Sequence, residues 1–465
     1  MARAKRTRAL VAGSAARDGV LAWMDRRIDF ERAPPRGDPA RAFGLHRMRR
    51  LLVAVGSPHE RFPVVHVAGT KGKGSTVAML AAILGAAGHR VGRYMSPHVN
   101  SIDERIHVAG RPISAADFVT AFETVIPAVE SLDARAARRG GRGPTWFEAL
   151  TAAAFVHFAR ERVDLAVLET GIGGRLDATN VSRPIVSVIT SVSLDHMALL
   201  GRTVGRIATE KAGIIKRGCP VVSGATHPAA RRVIAATAAR RRSPLLQAGR
   251  DFRVRHLPPA DALVLAGGEV ELVPLRGRPA GPPRRYRVAM PGRHQADNAG
   301  LAIVAALELD ARGVRVPDAA IRRGLAEVAL PARVERVASD PLVVVDAAHN
   351  VASMESLIET LAPLLDAHRP RVLVFAASGD KQIEEMLQVA AGRFDHVVLT
   401  RYVCNPRAAP LERLVAACRA AGLPAPEIAA TPAAALAAAR SRALRCGLVC
   451  VAGSFFLAAE VTAAL

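Results

Sequence analysis

Short apolar runs bounded by glycine, proline or charge recur along the chain and alternate with longer segments of helical spacing, the pattern of parallel α/β sheets. The run at 63–68 (PVVHVA) predicts a buried strand, and the turn at 69–75 (GTKGKGS) leads from it into an apolar helix predicted over 76–87. Further buried strands are predicted at 164–169, 184–190 and 220–223. Between 250 and 290 valine and leucine alternate with glycine and proline, which predicts a small antiparallel section. Helices are predicted over 293–309 and 317–328; after Pro331 the alternation restarts, with strands near 342–346, 371–375, 396–399 and 448–452. That restart predicts two α/β domains, 1–328 and 329–465, with 1–20 as a flexible basic tail and 135–144 (RAARRGGRGP) as a flexible loop within the first.

Composition narrows the class. A chain of 465 residues that is 50% hydrophobic can bury large cores, which excludes a peptide hormone, a coiled coil or a disordered scaffold. No apolar stretch approaches the roughly 18 residues that cross a bilayer, and the basic N-terminus is followed by no signal-type apolar segment. The expectation is a cytoplasmic protein with no membrane partner. The five cysteines, an odd number without metal spacing, are expected to be reduced core residues.

A net charge of +23 invites a nucleic-acid reading. Only six of the 64 basic residues are lysines, however, and the arginines are scattered, which suggests compositional drift more than a patch. With 4% aromatic residues and no basic stretch interleaved with rings, stacking platforms for single strands are missing. No specific nucleic-acid partner is expected. Where arginine fills most basic positions, a surviving lysine hints at a need for a compact ammonium or for an amine that can lose its proton.

The turn at 69–75 has the features of a phosphate-binding loop: successive backbone N–H groups, a helix N-terminus, Lys73 to neutralise oxygens, and the Ser75 hydroxyl. It departs from the strict pattern because Gly74 separates Lys73 from Ser75; a glycine-rich turn that binds nothing is the bland alternative. Thr145-Trp146-Phe147-Glu148 has capping-box form, so alone it reads as a helix start. Glu169 ends a predicted strand and is followed by a glycine-rich loop to Asn180, the place where α/β sheets hold ligands. Leu194-Asp195-His196 follows the next strand, and Glu210-Lys211-Ala212-Gly213-Ile214 comes after it.

Taken in order, these segments resemble a known family. His66–Ser75 matches H-V-A-G-T-N-G-K-G-S with Lys71 in place of Asn. Ser96-Pro97-His98 with Glu104-Arg105-Ile106, the T-x-F-E at 145–148, the G-G-R-L-D-A-T-N at 173–180, L-D-H and E-K-A-G-I follow, then His294–Ala299 as H-Q-x-x-N-A, Pro331-Ala332-Arg333, and Asp346–Asn350 as D-G-A-H-N with Ala347 for Gly. The chain resembles the folylpolyglutamate synthase/dihydrofolate synthase family, within the Mur-type ATP-dependent amide ligases.

The resemblance implies an N-terminal P-loop-type ATPase domain, mostly parallel with the small antiparallel section, and a C-terminal Rossmann-like domain, with the nucleotide between them. It implies that ATP phosphorylates a carboxylate of dihydropteroate or of a tetrahydrofolate species, and that L-glutamate attacks the acyl phosphate. Gly72, Lys73, Gly74, Ser75, Asn298, Arg333 and Asp346 would contact ATP. Ser96, Glu169 and His196 would hold Mg²⁺, as two ions, although a lone histidine is more often structural and Mg²⁺ prefers oxygen. Lys73, His196 and a carbamylated Lys211 would be catalytic; Thr145, Trp146, Phe147, Glu148, Leu176, Asp177 and Ala178 would form the pterin site. Asp177 has a bland alternative too, since aspartate often organises its own turn. Gly379–Gln382 only partly matches the family, which leaves Lys381 without a role. A monomer is expected. A folylpolyglutamate synthase lacking the second activity, a sister cell-wall ligase and a nucleic-acid-binding protein stand as alternatives.

Overall fold

The structure, a computed structural model, describes residues 15–32, 43–276 and 281–465. Its first sheet is built from β1 (Val64–Ala68), β2 (Val91–Tyr94), β3 (Ile106–Val108), β4 (Arg111–Pro112), β5 (Leu165–Glu169), β6 (Pro184–Ile189), β7 (Val221–Ser223) and β8 (Leu245–Gln247). Their order is β4-β3-β2-β5-β1-β6-β7-β8; the pairs from β2 to β8 are parallel and the β3 and β4 pairings antiparallel. Every residue of β1 and β5 is buried, as expected of central strands covered on both faces. Alternate residues serve the two faces. Val65 and Val67 join the core with helices Lys73–Ala86 and Arg293–Asp310, whereas Val64 and Leu168 pack with helices Ala115–Ala137 and Trp146–Arg160.

A second, antiparallel sheet of β9 (Phe252–Leu257), β10 (Glu269–Pro274) and β11 (Arg284–Arg287) occupies the region where the pattern changes. The third sheet comprises β12 (Glu335–Ser339), β13 (Leu342–Val345), β14 (Arg371–Phe375), β15 (His396–Leu399), β16 (Glu427–Ile428) and β17 (Leu448–Ala452). Its order is β12-β13-β17-β14-β15-β16, parallel except for β12 with β13. It begins eight residues after the helix Asp318–Glu327 ends.

Register is what builds a site. Val67 is level with Glu169, and Ala68 with Ile189, so the loops after β1, β5 and β6 leave the same edge of the sheet side by side. Order reverses at β1, which gives the crevice where α/β sheets bind ligands.

Several expectations need correction. The helix after the glycine turn starts at Lys73 rather than 76, because Gly72 in the left-handed region caps it. Residues 15–20 are helical and not a free tail: Val20 is buried and Arg17 pairs with Asp103 at 2.7 Å; residues 1–14 lie outside the described residues. The segment 135–144 starts as the last turn of the helix Ala115–Ala137. Cys219, Cys418 and Cys450 are buried free thiols, but Cys404 and Cys446 are exposed, since they sit in connections rather than strands. Among the described residues no helix is long and apolar enough to cross a membrane.

The packing generates a test. Leu168 is fully buried next to Glu169. Leu168→Ala should destabilise the first sheet by about 2–5 kcal/mol, seen as an earlier urea midpoint with unchanged slope; an unmoved midpoint would refute this core placement.

Candidate active site

The glycine turn is held in place by its neighbours at the sheet edge. Thr70 N donates to Ser191 O at 2.7 Å and Thr190 Oγ1 to Lys71 O at 2.6 Å. A Cβ on Gly69 would lie 1.8 Å from Thr190 Oγ1, and one on Gly72, whose φ is +79°, 2.0 Å from Asn298 Oδ1. Only glycine fits at either position. Asn298, on the helix Arg293–Asp310, thus rests directly against the turn, with its Nδ2 donating to Gln295 Oε1 at 3.1 Å. Gly74 and the buried Ser75 sit in the first helical turn, where backbone N–H groups lack intrahelical partners.

Glu169 closes the turn from the side. Its Oε2 accepts from Ser96 N at 3.2 Å and its Oε1 lies 3.8 Å from Lys73 Nζ. Burial pushes the carboxyl up from its ordinary value, against the pull of Lys73 and the Ser96 N–H. A buried carboxylate with one hydrogen bond and one loose ion pair retains open lone pairs beside the Ser96 hydroxyl, a donor set suited to a hard divalent cation. His196 stands apart from this pair. It is exposed, with φ +48°, its backbone N donates to Asp195 Oδ1 at 2.9 Å, and no hydrogen bond joins it to Ser96 or Glu169.

Lysines gather around Asp195. Lys71 Nζ donates to Asp195 Oδ2 at 3.1 Å, and Lys381 Nζ, from the third sheet's side, lies 3.8 Å from Asp195 Oδ1. Against the upward push of burial, Lys71, His196 and Lys381 hold Asp195 well below the usual carboxylate range. Lys71 also reaches His349 Nε2 at 3.3 Å, and His349 Nδ1 lies 2.9 Å from Ala347 O. Nδ1 therefore carries the proton and Nε2 accepts from the lysine. Lys211 is buried with Nζ donating to Gly69 O at 2.7 Å. Loss of solvent, together with Lys73, lowers its pKa to about 7; burial takes Lys71 to about 8.

From the second half of the chain, Asp346 follows β13 and accepts from Val334 N at 2.8 Å; burial raises it to about 6 against the opposing charge of Arg333. The Arg333 guanidinium lies 4.8 Å from the Phe455 ring centroid and is balanced by both Asp346 and Glu169.

The segments expected to hold a pterin are largely occupied by local bonds. Thr145 and Glu148 form a true capping box at 2.8 and 3.2 Å, and Arg47 Nε adds a buried bond to Glu148 at 3.1 Å. Asp177 accepts from Ile172 N at 3.1 Å and Thr179 N at 3.0 Å, organising its own loop. Trp146 is itself buried with the Arg105 guanidinium over its ring at 4.9 Å, whereas Phe147, which neighbours Tyr94, is only half-buried. Leu176 is half-buried and Ala178 buried, on either side of Asp177 in sequence.

One partner had no sequence signal, Glu31. Buried Arg105 makes a bidentate pair with Glu31 at 2.8 and 2.7 Å and donates to His98 Nδ1 at 2.8 Å. Glu104 meanwhile accepts from Val99, Asn100 and Ser101 N–H groups, so the segment 96–106 is a loop built by its own motif.

Two family models cover most of this architecture: the Mur ligase middle domain matches residues 67–306, and the Mur ligase glutamate ligase domain matches 332–455. The chain belongs to the Mur ligase family. Its curated relatives include the dihydrofolate synthase/folylpolyglutamate synthases of Bacillus subtilis (strain 168), 38% identical over 79% of this chain and 80% of that one, and of Mycobacterium tuberculosis, 37% identical over 85% and 81%. Among solved structures it is similar to Mycobacterium tuberculosis folylpolyglutamate synthase complexed with ADP and AMPPCP, with a TM-score of 0.85, 33% identity and 97% and 98% of the two chains covered. E. coli FolC in complex with DHPP and ADP superposes with a TM-score of 0.79 at 29% identity, covering 96% and 97%. Within the Mur ligases, this chain is thus an ATP-dependent ligase of the folylpolyglutamate and dihydrofolate synthase branch.

Lys73→Ala and Glu169→Gln should each lower ATP-dependent turnover by at least about 100-fold with an unchanged circular dichroism spectrum, because each removes a charge aimed at phosphate or cation. Near-normal turnover in either variant would refute the assignment of this crevice.

Proposed function

We propose that this chain joins L-glutamate, at the expense of ATP, both to dihydropteroate and to the glutamyl chain of tetrahydrofolate species. The observation that carries the reading is the crevice itself: a glycine turn with Lys73, flanked by buried Glu169 and faced by Arg333 and Asp346 from the second half. A carboxylate is a poor acyl donor, because its leaving group would be oxide. Transfer of the γ-phosphoryl group to it gives an acyl phosphate; the glutamate amine attacks the carbonyl carbon, phosphate leaves and an amide forms. Proton loss from the amine completes the balance.

In this reading the turn's backbone N–H groups with Gly72, Lys73, Gly74 and Ser75 cradle the phosphates, while Asn298, Arg333 and Asp346 fix the nucleotide. Ser96, Glu169 and His196, the last from the neighbouring Asp195 loop, would hold two Mg²⁺ ions, which would supply neutralisation of clustered phosphate oxygens. Phe147 offers its ring to the pterin, with Thr145, Trp146, Glu148, Leu176, Asp177 and Ala178 shaping the pocket. The chain divides at 328/329 into an ATPase domain and a Rossmann-like ligase domain, supported by the change of sheet between Glu327 and Glu335. It acts as a cytoplasmic monomer.

Lys211 is carbamylated in this reading: its neutral nitrogen adds to CO₂ and releases a proton, turning a cation into an anion near the reacting phosphate. A pKa of about 7 leaves a substantial neutral fraction at physiological pH, and that fraction shrinks as pH falls. Lys211→Arg, too basic to add CO₂, should be inactive; full activity would remove carbamylation from the mechanism.

A second reading has a specific support, the 38% identity to the protein of Lacticaseibacillus casei named folylpolyglutamate synthase alone. Glutamate-dependent ADP formation separates them. Both dihydropteroate and tetrahydrofolate should stimulate it; stimulation by tetrahydrofolate only would leave a folylpolyglutamate synthase.

A further inference from the structure

At the edge of the first sheet opposite the crevice, three side chains converge where the helix Trp146–Arg160 ends and the helix Ala115–Ala137 begins. His157 stands in the last turn of the former and Glu161 is its C-cap, while Asp117 stands in the first turn of the latter. Four residues apart, His157 and Glu161 share a face, and the packing of the two helices brings Asp117 to it. A ring nitrogen of His157 and one carboxylate oxygen from each of Asp117 and Glu161 lie within 4.8 Å of one another. The chain enters β5 shortly after Glu161 and reaches Glu169 at the far end of that strand, so the length of β5 separates this cluster from the crevice.

Local bonds account for the two acids. Ser114 Oγ donates to Asp117 Oδ2 at 2.6 Å at the start of its helix, and Arg90 donates to Glu161 Oε2. The other oxygen of each, Asp117 Oδ1 and Glu161 Oε1, has no hydrogen-bond partner among the described residues. Nothing comparable accounts for His157. It is only 3% exposed, its Nδ1 is buried without a partner, and among the described residues no hydrogen bond reaches either ring nitrogen. A buried imidazole in that state forfeits the bonds it makes in water. A helix C-terminus favours imidazolium, yet burial, helped by Arg160 and Arg90, pushes the ring below its ordinary value against the pull of Asp117 and Glu161. The neutral ring is the form that ligates metals.

The geometry points to a divalent transition-metal site, suited to Zn²⁺, in which His157, Asp117 and Glu161 hold one ion as a staple between the two helices. Mg²⁺ and Ca²⁺ call for oxygen ligands throughout, whereas one imidazole with two carboxylates is a Zn²⁺ donor set that leaves a fourth position for water. Two carboxylates balance the charge of the ion, and the ion satisfies the imidazole nitrogen. Arg90, kept on Glu161 Oε2, would orient that carboxylate. An ion about 2.0–2.2 Å from each donor draws the three closer together, a shift that side chains at helix ends can make without moving the sheet. The site stands clear of the groups that carry the proposed ligation, and its test does not depend on that activity.

The full chain, stripped with EDTA and returned to buffer with excess Mg²⁺ to fill the crevice, is titrated with Zn²⁺ against a chromophoric chelator. The wild type should bind one ion with a Kd of about 1 μM or lower, and its thermal midpoint should rise by about 3 °C or more once free Zn²⁺ is about 100 times Kd. Asp117→Asn and Glu161→Gln, which keep side-chain size at partly exposed positions, should each weaken binding at least about tenfold. His157→Gln should do the same and should alter the visible absorption of the Co²⁺-loaded protein; the two carboxylate variants carry the test should it fail to fold. Glu169→Gln, in the crevice, should bind Zn²⁺ as the wild type does. A wild type that binds no Zn²⁺ at that affinity, binding equal in wild type, Asp117→Asn and Glu161→Gln, or binding lost in Glu169→Gln alone would each overturn the inference.

Discussion

Four of the chain's six lysines, Lys71, Lys73, Lys211 and Lys381, converge on one crevice, and Asp195 and Glu169 stand between them. Like charges this close in a partly desolvated site repel strongly. Asp380 adds a further carboxylate to Lys381 at 3.9 Å, and Lys211, lowered to about 7, carries only part of a charge. Burial chiefly depresses Lys71 and Lys211, with the neighbouring lysines adding to it, while the same lysines hold Asp195 below the usual carboxylate range. In the proposed reading, phosphate oxygens are the partners that these lysines would share.

That arrangement also ties the two halves of the chain. Lys71 donates across to His349, Lys381 reaches back to Asp195, and the charge of Arg333 is balanced in part by Glu169. Farther out, Arg407 donates to Glu31 O at 2.8 Å while holding Asp380. Lysine and arginine divide the work by chemistry. The compact, deprotonatable amines gather in the buried crevice beside Arg333, whereas the planar guanidinium of Arg105 takes the bidentate pair with Glu31. Lys71, standing where the family pattern has Asn, belongs to the first group because it is the link from the phosphate turn to the second half.

Much of this was open to inspection before any coordinates. The strand at 63–68, the turn, the helix after it, the antiparallel interlude and the restart after Pro331 rest on periodicity and on glycine and proline, which act within a few residues. The metal set implied by the resemblance puts Glu169 and His196 together; the register of β5, β1 and β6 brings their two loops to a common edge, but His196 itself stands apart from Glu169. Short strands such as β2, four residues interrupted by Gly92, carry too little pattern to stand out.

What the sequence alone determined is therefore the order of elements, the positions that only glycine can fill and the residue types available at the sheet edge. What only the tertiary structure decided is which of those groups have partners. Glu148 and Asp177 read equally well as ligand contacts or as local caps until their bonds to Arg47, Thr145, Ile172 and Thr179 are seen. Glu31 pairs with Arg105 across 74 positions, and Lys381 meets Asp195 from another sheet. Periodicity and turn chemistry are local properties of a chain, whereas the partner of a charge is chosen by the packing of segments far apart in sequence.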